Sequence, residues 1–143
     1  MVKFLVPVDG SESSKRVVAD LIKRRAWFKD GVEVHLLNVQ PPIPYGERVS
    51  DAVGHDRIAK YHHDEGMAAL EPAMKALDAA KVSYHHHVGV GDAADIICKY
   101  AKEKLCDQIY MGTRGMGSVS NLLLGSVATK VIHLSAVPVL LVK

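Results

Sequence analysis

A glycine-rich segment near the carboxyl end of the chain combines residue types that bind phosphate groups. Gly112 and Gly115 are followed, nine residues later, by Gly125 and Ser126. Glycine lets the backbone approach a ligand closely, so successive N–H groups can converge on an anion. A helix beginning at Ser126 would add its own unpaired N–H groups, and Arg114 would add a charge-assisted contact. We predict a phosphate-binding loop made of Gly112, Arg114, Gly115, Gly125, Ser126 and Val127. Glycines that serve only as turn formers are the alternative.

Other nucleotide and hydrolase motifs do not compete with this segment. A Gly-Lys-[Ser/Thr] phosphate loop and a Gly-x-Ser-x-Gly elbow are both missing from the sequence. Residues 89–94 resemble a dinucleotide fingerprint, but they follow the third predicted strand instead of the first, and a tight turn with Asp92 as helix cap is favoured. No motif places a general base beside the loop, although Asp9 is available. We therefore expect at most slow hydrolysis of any phosphate compound bound there, and we assign no catalytic residue.

Histidine is the second feature with chemical potential, because the chain contains eight. His85, His86 and His87 are consecutive in a predicted strand, where alternate side chains point to opposite faces. His85 and His87 therefore share a face that excludes His86. Solvated or packed histidines on an edge strand are the favoured interpretation over a metal site, so no metal ligand is assigned.

The elements that must position these residues alternate regularly along the chain. Short apolar segments predict strands over 4–8, 32–39, 82–90, 107–111 and 137–142, and helical patterns begin near Ser11, Arg57, Asp92 and Ser126. This order predicts one α/β domain over residues 1–143, with a five-stranded parallel sheet and helices on both faces. A flavodoxin-like strand order 3-2-1-4-5 would bring Asp9 beside the glycine-rich segment, at the carboxyl ends of the strands.

Two stretches depart from that regular alternation. Residues 40–56 contain three prolines and two glycines, which predicts a long loop. A helix is predicted over 57–80, and Pro72 is expected to kink it or to begin a new segment.

Composition excludes several classes of protein. The 143 residues carry a formal net charge of +2, which is too small for a nucleic-acid-binding surface. The longest strongly apolar stretch, 136–142, is far below the ~20 residues that cross a bilayer, so no membrane association is expected. Cys98 and Cys106 are too few and too far apart for a redox pair or a zinc ribbon, and no signal peptide is predicted at the amino end. Reduced thiols and a cytoplasmic location are expected.

The whole chain resembles the universal stress protein family in its single-domain form. Its ATP-binding members carry G-2x-G-9x-G-[S/T], and the glycine-rich segment matches that pattern. The segments 6–11, 37–39 and 137–142 are also typical of the family. The resemblance implies that Asp9 and Val39 face the adenine and ribose of ATP, AMP or ADP, with Pro7 nearby. It implies further that the glycine-rich segment holds the phosphates with a divalent cation, Mg²⁺ or Mn²⁺.

The last strand bears on assembly. Val137–Val142 is almost uniformly apolar and would lie at the edge of the sheet, where an unpaired strand invites pairing. We predict an antiparallel homodimer through this strand, which the resemblance also implies.

The leading hypothesis is a homodimeric ATP-binding stress protein that acts as a sensor or regulator and contacts as yet unidentified protein partners. A nucleotide-independent dimeric interaction module and a slow ATP hydrolase are the alternatives.

Overall fold

A computed structural model describes residues 1–44, 46–114 and 124–143 of the chain. Its five strands form one sheet, and every neighbouring pair is parallel. The strands are β1 (Val2–Pro7), β2 (Val32–Gln40), β3 (Tyr84–Val90), β4 (Gln108–Gly112) and β5 (Val139–Val142). The sheet order is β3-β2-β1-β4-β5, so the predicted order is confirmed. β3 and β5 are the edges.

Among the described residues, five α-helices accompany the sheet, namely α1 (Glu12–Arg24), α2 (Gly46–Val53), α3 (His55–Ala79), α4 (Ala93–Glu103) and α5 (Ser126–Leu134). A 3-10 turn, Arg25–Trp27, follows α1. Ser11 and Asp92 cap α1 and α4, because each side chain accepts the N–H of the residue three positions on. Within the described parts of the chain, no helix combines the length and the apolar character needed to span a bilayer.

The core consists of two apolar layers, one on each face of the sheet. Alternate residues of β1 point to opposite faces, so Phe4 and Val6 pack with α1 and α3, whereas Leu5 packs with α4 and α5. Phe4 and Tyr110 meet edge to face with ring centroids 5.3 Å apart. Burial of β1 on both faces explains why its sequence is an apolar run without alternation.

The prediction of a long loop over 40–56 is wrong in part. α2 occupies Gly46–Val53 and contacts α3. The prolines at 41, 42 and 44 all precede the helix, where the missing N–H groups cost nothing. Proline content therefore marked the start of a helix and did not prevent one.

α3 is a single helix that continues through Pro72, so a new segment does not begin there. Leu70, Ala73 and Leu77 are buried on its inner side, while Pro72 is exposed. Burial of this apolar stripe stabilises the helix enough to offset the backbone hydrogen bond that proline removes.

Two strands are shorter than predicted, because local hydrogen bonds compete with the sheet. The Val82 N–H donates to the Leu77 carbonyl at 2.9 Å and so closes the end of α3 instead of opening β3. Ser135 Oγ accepts the Val137 N–H at 3.1 Å and donates to the Val137 carbonyl at 2.7 Å, which delays β5 to Val139.

Candidate functional site

The carboxyl ends of β1 and β4 lie side by side at the point where the strand order reverses. β1 pairs with β2 on one side and with β4 on the other, as the registers Pro7↔Leu37 and Leu5↔Ile109 show. A Cβ built on Gly112 would overlap Ser13 Oγ in the first turn of α1. Gly112 is therefore explained by close packing of the β4 end against α1, independently of any ligand. Clefts at such reversals are where open α/β sheets bind ligands.

The turn after β1 holds Asp9 in a fixed orientation. Asp9 Oδ1 accepts the Ser11 N–H at 2.9 Å and the Ser14 hydroxyl at 2.6 Å, and the Asp9 N–H donates to Ser14 Oγ at 3.0 Å. Gly10 has φ +82°, which glycine adopts without strain. Asp9 is exposed, so a carboxylate of fixed position faces solvent at the end of β1.

A buried amide ties this turn to the end of β2. Asn38 is 3% exposed, and its Nδ2 donates to the Val8 carbonyl at 2.8 Å. Gln40 Nε2 donates in turn to Asn38 Oδ1 at 2.7 Å. Pro7 and Val39, both half-buried, lie at the ends of these two adjacent strands. The structure therefore brings together, at the carboxyl ends of β1 and β2, three residues that were predicted from the sequence: Pro7, Asp9 and Val39.

The amino end of α5 lies against the carboxyl end of β4. The Thr113 N–H donates to the Val142 carbonyl at 3.1 Å, and the Gly125 N–H donates to the Thr113 carbonyl at 2.6 Å. Gly125 caps α5 without a side-chain hydrogen bond, and Ser126 and Val127 are exposed in the first turn. The first-turn N–H groups of a helix lack intrahelical partners and attract anions. Arg114, the residue after Thr113, is exposed, and Gly115 lies outside the described residues.

An apolar cavity of about 220 Å³ lies beside the Asp9 turn, between α1 and α3. Its wall includes Val8, Gly10, Val18, Ala69, Pro72 and Ala73. Small apolar side chains dominate this wall, so the cavity suits an apolar group and not a phosphate chain.

A second polar cluster lies near the amino ends of β2 and β3, and sequence reasoning found only half of it. His85 and His87 share a face, as predicted, and β2 brings His35 and Glu33 beside them. His35 Nδ1 lies 3.1 Å from His87 Nε2, and His35 Nε2 lies 2.8 Å from Glu33 Oε1. The alternation of Glu33 and His35 was visible in the sequence, but only the strand register brings them to His85 and His87.

Electrostatics of this cluster are dominated by burial and by the neighbouring imidazoles. Burial first, and then positive charge on His35, Lys104, His85 and His86, together lower the pKa of His87 to about 4. The His87 ring also packs against Tyr100 of α4, with centroids 5.6 Å apart. The hydrogen bond from His35 lowers the pKa of Glu33. His87 is therefore held neutral near pH 7.

The low pKa of His87 predicts a loss of stability in acid. The unfolded chain takes up a proton near the ordinary pKa of 6.5, whereas the folded chain does so only near 4, so the free energy of unfolding falls as pH drops through that window. Partial exposure of His87 reduces the effect to about 1–2 kcal/mol. We expect His87→Gln to flatten the pH dependence by this amount in urea titrations with EDTA present. His86→Gln, on the opposite face, is the control, and an equal pH dependence in wild type and His87→Gln would contradict the prediction.

The fold and the paired strand-end loops define a flavodoxin-like α/β protein with a candidate ligand site at its topological switch point. The family model of the universal stress protein family matches residues 1–143. The universal stress protein YxiE of Bacillus subtilis (strain 168) is 35% identical over 147 residues, covering 99% of this chain and 98% of that protein. The chain therefore belongs to the universal stress protein family.

Solved structures agree with this assignment. Hypothetical protein MJ0577 superposes with a TM-score of 0.81 at 28% identity, covering 99% of this chain and 95% of that one. A universal stress protein crystallised in complex with cAMP gives a TM-score of 0.70 at 25% identity, covering 99% of this chain and 97% of that one.

Proposed function

We propose that this protein binds an adenine nucleotide, with ATP as the physiological ligand, and acts as a sensor or regulator in a stress response. Membership of the universal stress protein family supports the stress-response part of the proposal. The similar structure that contains cAMP supports the nucleotide part. Protein partners would be contacted in a nucleotide-dependent manner.

One observation carries the proposal. The hydrogen bond from the Gly125 N–H to the Thr113 carbonyl joins the start of α5 to the end of β4, beside the turn that carries Asp9. A carboxylate suited to sugar or base and a helix amino end that attracts anions thus lie at the carboxyl ends of adjacent strands. A nucleotide presents these two chemistries, a polar nucleoside and a phosphate chain, at its opposite ends.

The assignment of residues follows that polarity. Asp9 and Val39 would face the nucleoside, with Pro7 nearby. The phosphate-binding residues would be Gly112, Arg114, Gly115, Gly125, Ser126 and Val127. Gly115 is included among these residues only because of its position in the glycine motif.

A divalent cation would accompany the phosphates. Mg²⁺ and Mn²⁺ prefer oxygen ligands and keep several waters or phosphate oxygens. The exposed Ser126 hydroxyl in the first turn of α5 is a protein oxygen of that kind, and phosphate oxygens and waters would supply the other ligands. The cation would neutralise phosphate charge beside the first turn of α5.

Slow turnover is part of the proposal. Asp9 Oδ1 accepts two hydrogen bonds from its own turn, which suits a positioning role better than proton transfer. The first turn of α5 supplies binding groups and no base. The protein would hold ATP and hydrolyse it slowly at most.

We further propose a cytoplasmic homodimer of a single domain. β5 is an edge strand of four half-buried apolar residues, the kind of edge that pairs with a second copy. Cys98 and Cys106 are free thiols, the state that a reducing compartment maintains.

Denaturation of the pure protein tests the proposal. We expect an adenine nucleotide in the supernatant by absorbance and mass, and a rise in melting temperature when ATP and Mg²⁺ are added to nucleotide-free protein. Absence of both results would overturn the proposal in favour of an interaction module that needs no nucleotide. Steady phosphate release at catalytic rates would favour a hydrolase instead.

A further inference from the structure

The polar cluster on β2 and β3 has the composition and spacing of a metal site. One ligand atom from each of Glu33, His35 and His85 lies within 4.8 Å of the other two. Glu33 Oε1 is 2.8 Å from His35 Nε2 and 3.8 Å from His85 Nε2. Ligand atoms at the bond lengths of tetrahedral zinc lie about 3.3 Å apart, a value between these two distances.

Sheet geometry explains why three ligands converge here. Glu33 and His35 are two residues apart on β2, so their side chains share a face. His35 is in register with His85 on the adjacent strand β3, and the two rings stack with centroids 4.8 Å apart. The cluster is thus fixed by the backbone of paired strands and not by a loop.

The surroundings of His35 match those of a metal-binding imidazole. Its side chain is 8% exposed, and its Nδ1 lies 3.1 Å from His87 Nε2. In the metal-free protein His35 Nε2 carries the proton and donates it to Glu33. The other tautomer, in which Nδ1 carries the proton and donates it to His87, leaves the Nε2 lone pair free for an ion beside Glu33. Metal-binding histidines regularly donate their second ring N–H in this way, which fixes the tautomer.

The other two ligands provide access from solvent. The His85 side chain is 62% exposed and can rotate, and that of Glu33 is 26% exposed. Lys3 Nζ lies 3.9 Å from Glu33 Oε1. Because the Lys3 side chain is 37% exposed, it can move into solvent when a cation binds. A fourth position would remain open to water.

We propose that Glu33, His35 and His85 bind one divalent transition-metal ion, with Zn²⁺ as the expected occupant. Two imidazoles and one carboxylate suit Zn²⁺ and disfavour Mg²⁺ and Ca²⁺, which prefer all-oxygen sites. The ion would join the edge strand β3 to β2. It is distinct from the nucleotide-associated cation, because His35 precedes Val39 by four residues of strand, about 13 Å.

Calorimetric titration of tag-free, EDTA-treated, full-length protein with Zn²⁺ tests this proposal, without any nucleotide present. We expect about one Zn²⁺ per chain, a Zn²⁺-dependent rise in melting temperature, and no competition from excess Mg²⁺. His85→Ala should weaken Zn²⁺ binding at least about tenfold and abolish the thermal shift. His86→Ala is the matched control, since His86 is the neighbouring exposed histidine on the opposite face, and it should bind as wild type does.

Three results would overturn the proposal. The first is no saturable binding of Zn²⁺ to the wild-type protein. The second is unchanged affinity in His85→Ala, and the third is an equal loss in His86→Ala and His85→Ala. As a second measurement, Zn²⁺ should shift the ring resonances of His35 and His85 in NMR spectra and leave those of His86 in place. These outcomes do not depend on ATP, so the metal site and the nucleotide proposal can fail separately.

Discussion

Ser126→Asp is expected to lower the affinity for ATP at least about 100-fold while the protein stays folded. The new carboxylate would stand in the exposed first turn of α5, where the phosphates are proposed to bind. Two unit charges 5 Å apart interact by about 3 kcal/mol at an effective dielectric constant of 20, and ATP carries several negative charges. The carboxylate would also occupy the free N–H groups of the helix.

Stability should not fall in this variant, because an acidic residue in the first turn of a helix is favourable by about 0.3–1 kcal/mol. Ser126→Asn is the matched control, since asparagine has the same shape as aspartate and no charge. We expect isothermal titration to show near wild-type affinity for Ser126→Asn. Equal affinities of Ser126→Asp and wild type for ATP would show that α5 is not part of the binding site.

Leu141→Pro is expected to convert the proposed dimer to monomer at micromolar concentration. The carbonyls of Pro138 and Val142 accept hydrogen bonds from β4 and its continuation, so the even-numbered residues of this strand face β4. The N–H groups of Val139 and Leu141 therefore point away from the sheet, toward any strand that pairs with its edge. Proline at 141 removes one such donor from each copy and leaves the bonds to β4 intact.

Loss of two hydrogen bonds at about 1 kcal/mol each, together with the bulk of the two rings, predicts a roughly 100-fold higher dimer dissociation constant. Leu141→Val is the control, because it trims the same side chain but keeps the N–H. Sedimentation velocity should show dimer for wild type and Leu141→Val, and monomer for Leu141→Pro. A wild-type monomer, or a Leu141→Pro dimer of unchanged affinity, would contradict pairing through β5.

Sheet order and helix caps could be predicted from the sequence because each depends on local signals. Apolar runs such as Phe4–Val8 mark strands covered on both faces, and their alternation with helices limits the topology to a few choices. Asp92 caps its helix as predicted, and Ser11 caps the helix predicted to begin near it, since a short polar side chain before a helical pattern commonly serves as a cap. The family resemblance, which the match of the family model over residues 1–143 confirms, rests on spaced glycines and strand sequences that are equally local.

Predictions failed where two local signals competed. The prolines at 41, 42 and 44 predicted a loop that extends to residue 56, but a helix, α2, begins directly after them at Gly46. Val82 and Val137 have strand-like side chains, but their N–H groups are used by a helix end and by Ser135. The outcome of such competition depends on which hydrogen bond gives the lower free energy in the folded protein, and the side-chain pattern does not reveal it.

The two candidate sites also differ in how far local sequence signals could predict them. The proposed nucleotide site could be placed from the sequence because its residues lie in short segments at predicted strand ends, whereas only the structure reveals that Gly112 packs against Ser13. The metal cluster could not be assembled from sequence, since Glu33 and His35 meet His85 only through the register of β2 with β3.

Backbone amide NMR during an ATP titration tests the nucleotide site most directly. The amide resonances of Asp9, Val39, Ser126 and Val127 should shift together with one dissociation constant, and those of His85–His87 should shift little. Saturable shifts confined to other surfaces, or no shifts at millimolar ATP with Mg²⁺, would contradict the proposed site at the carboxyl ends of β1 and β4.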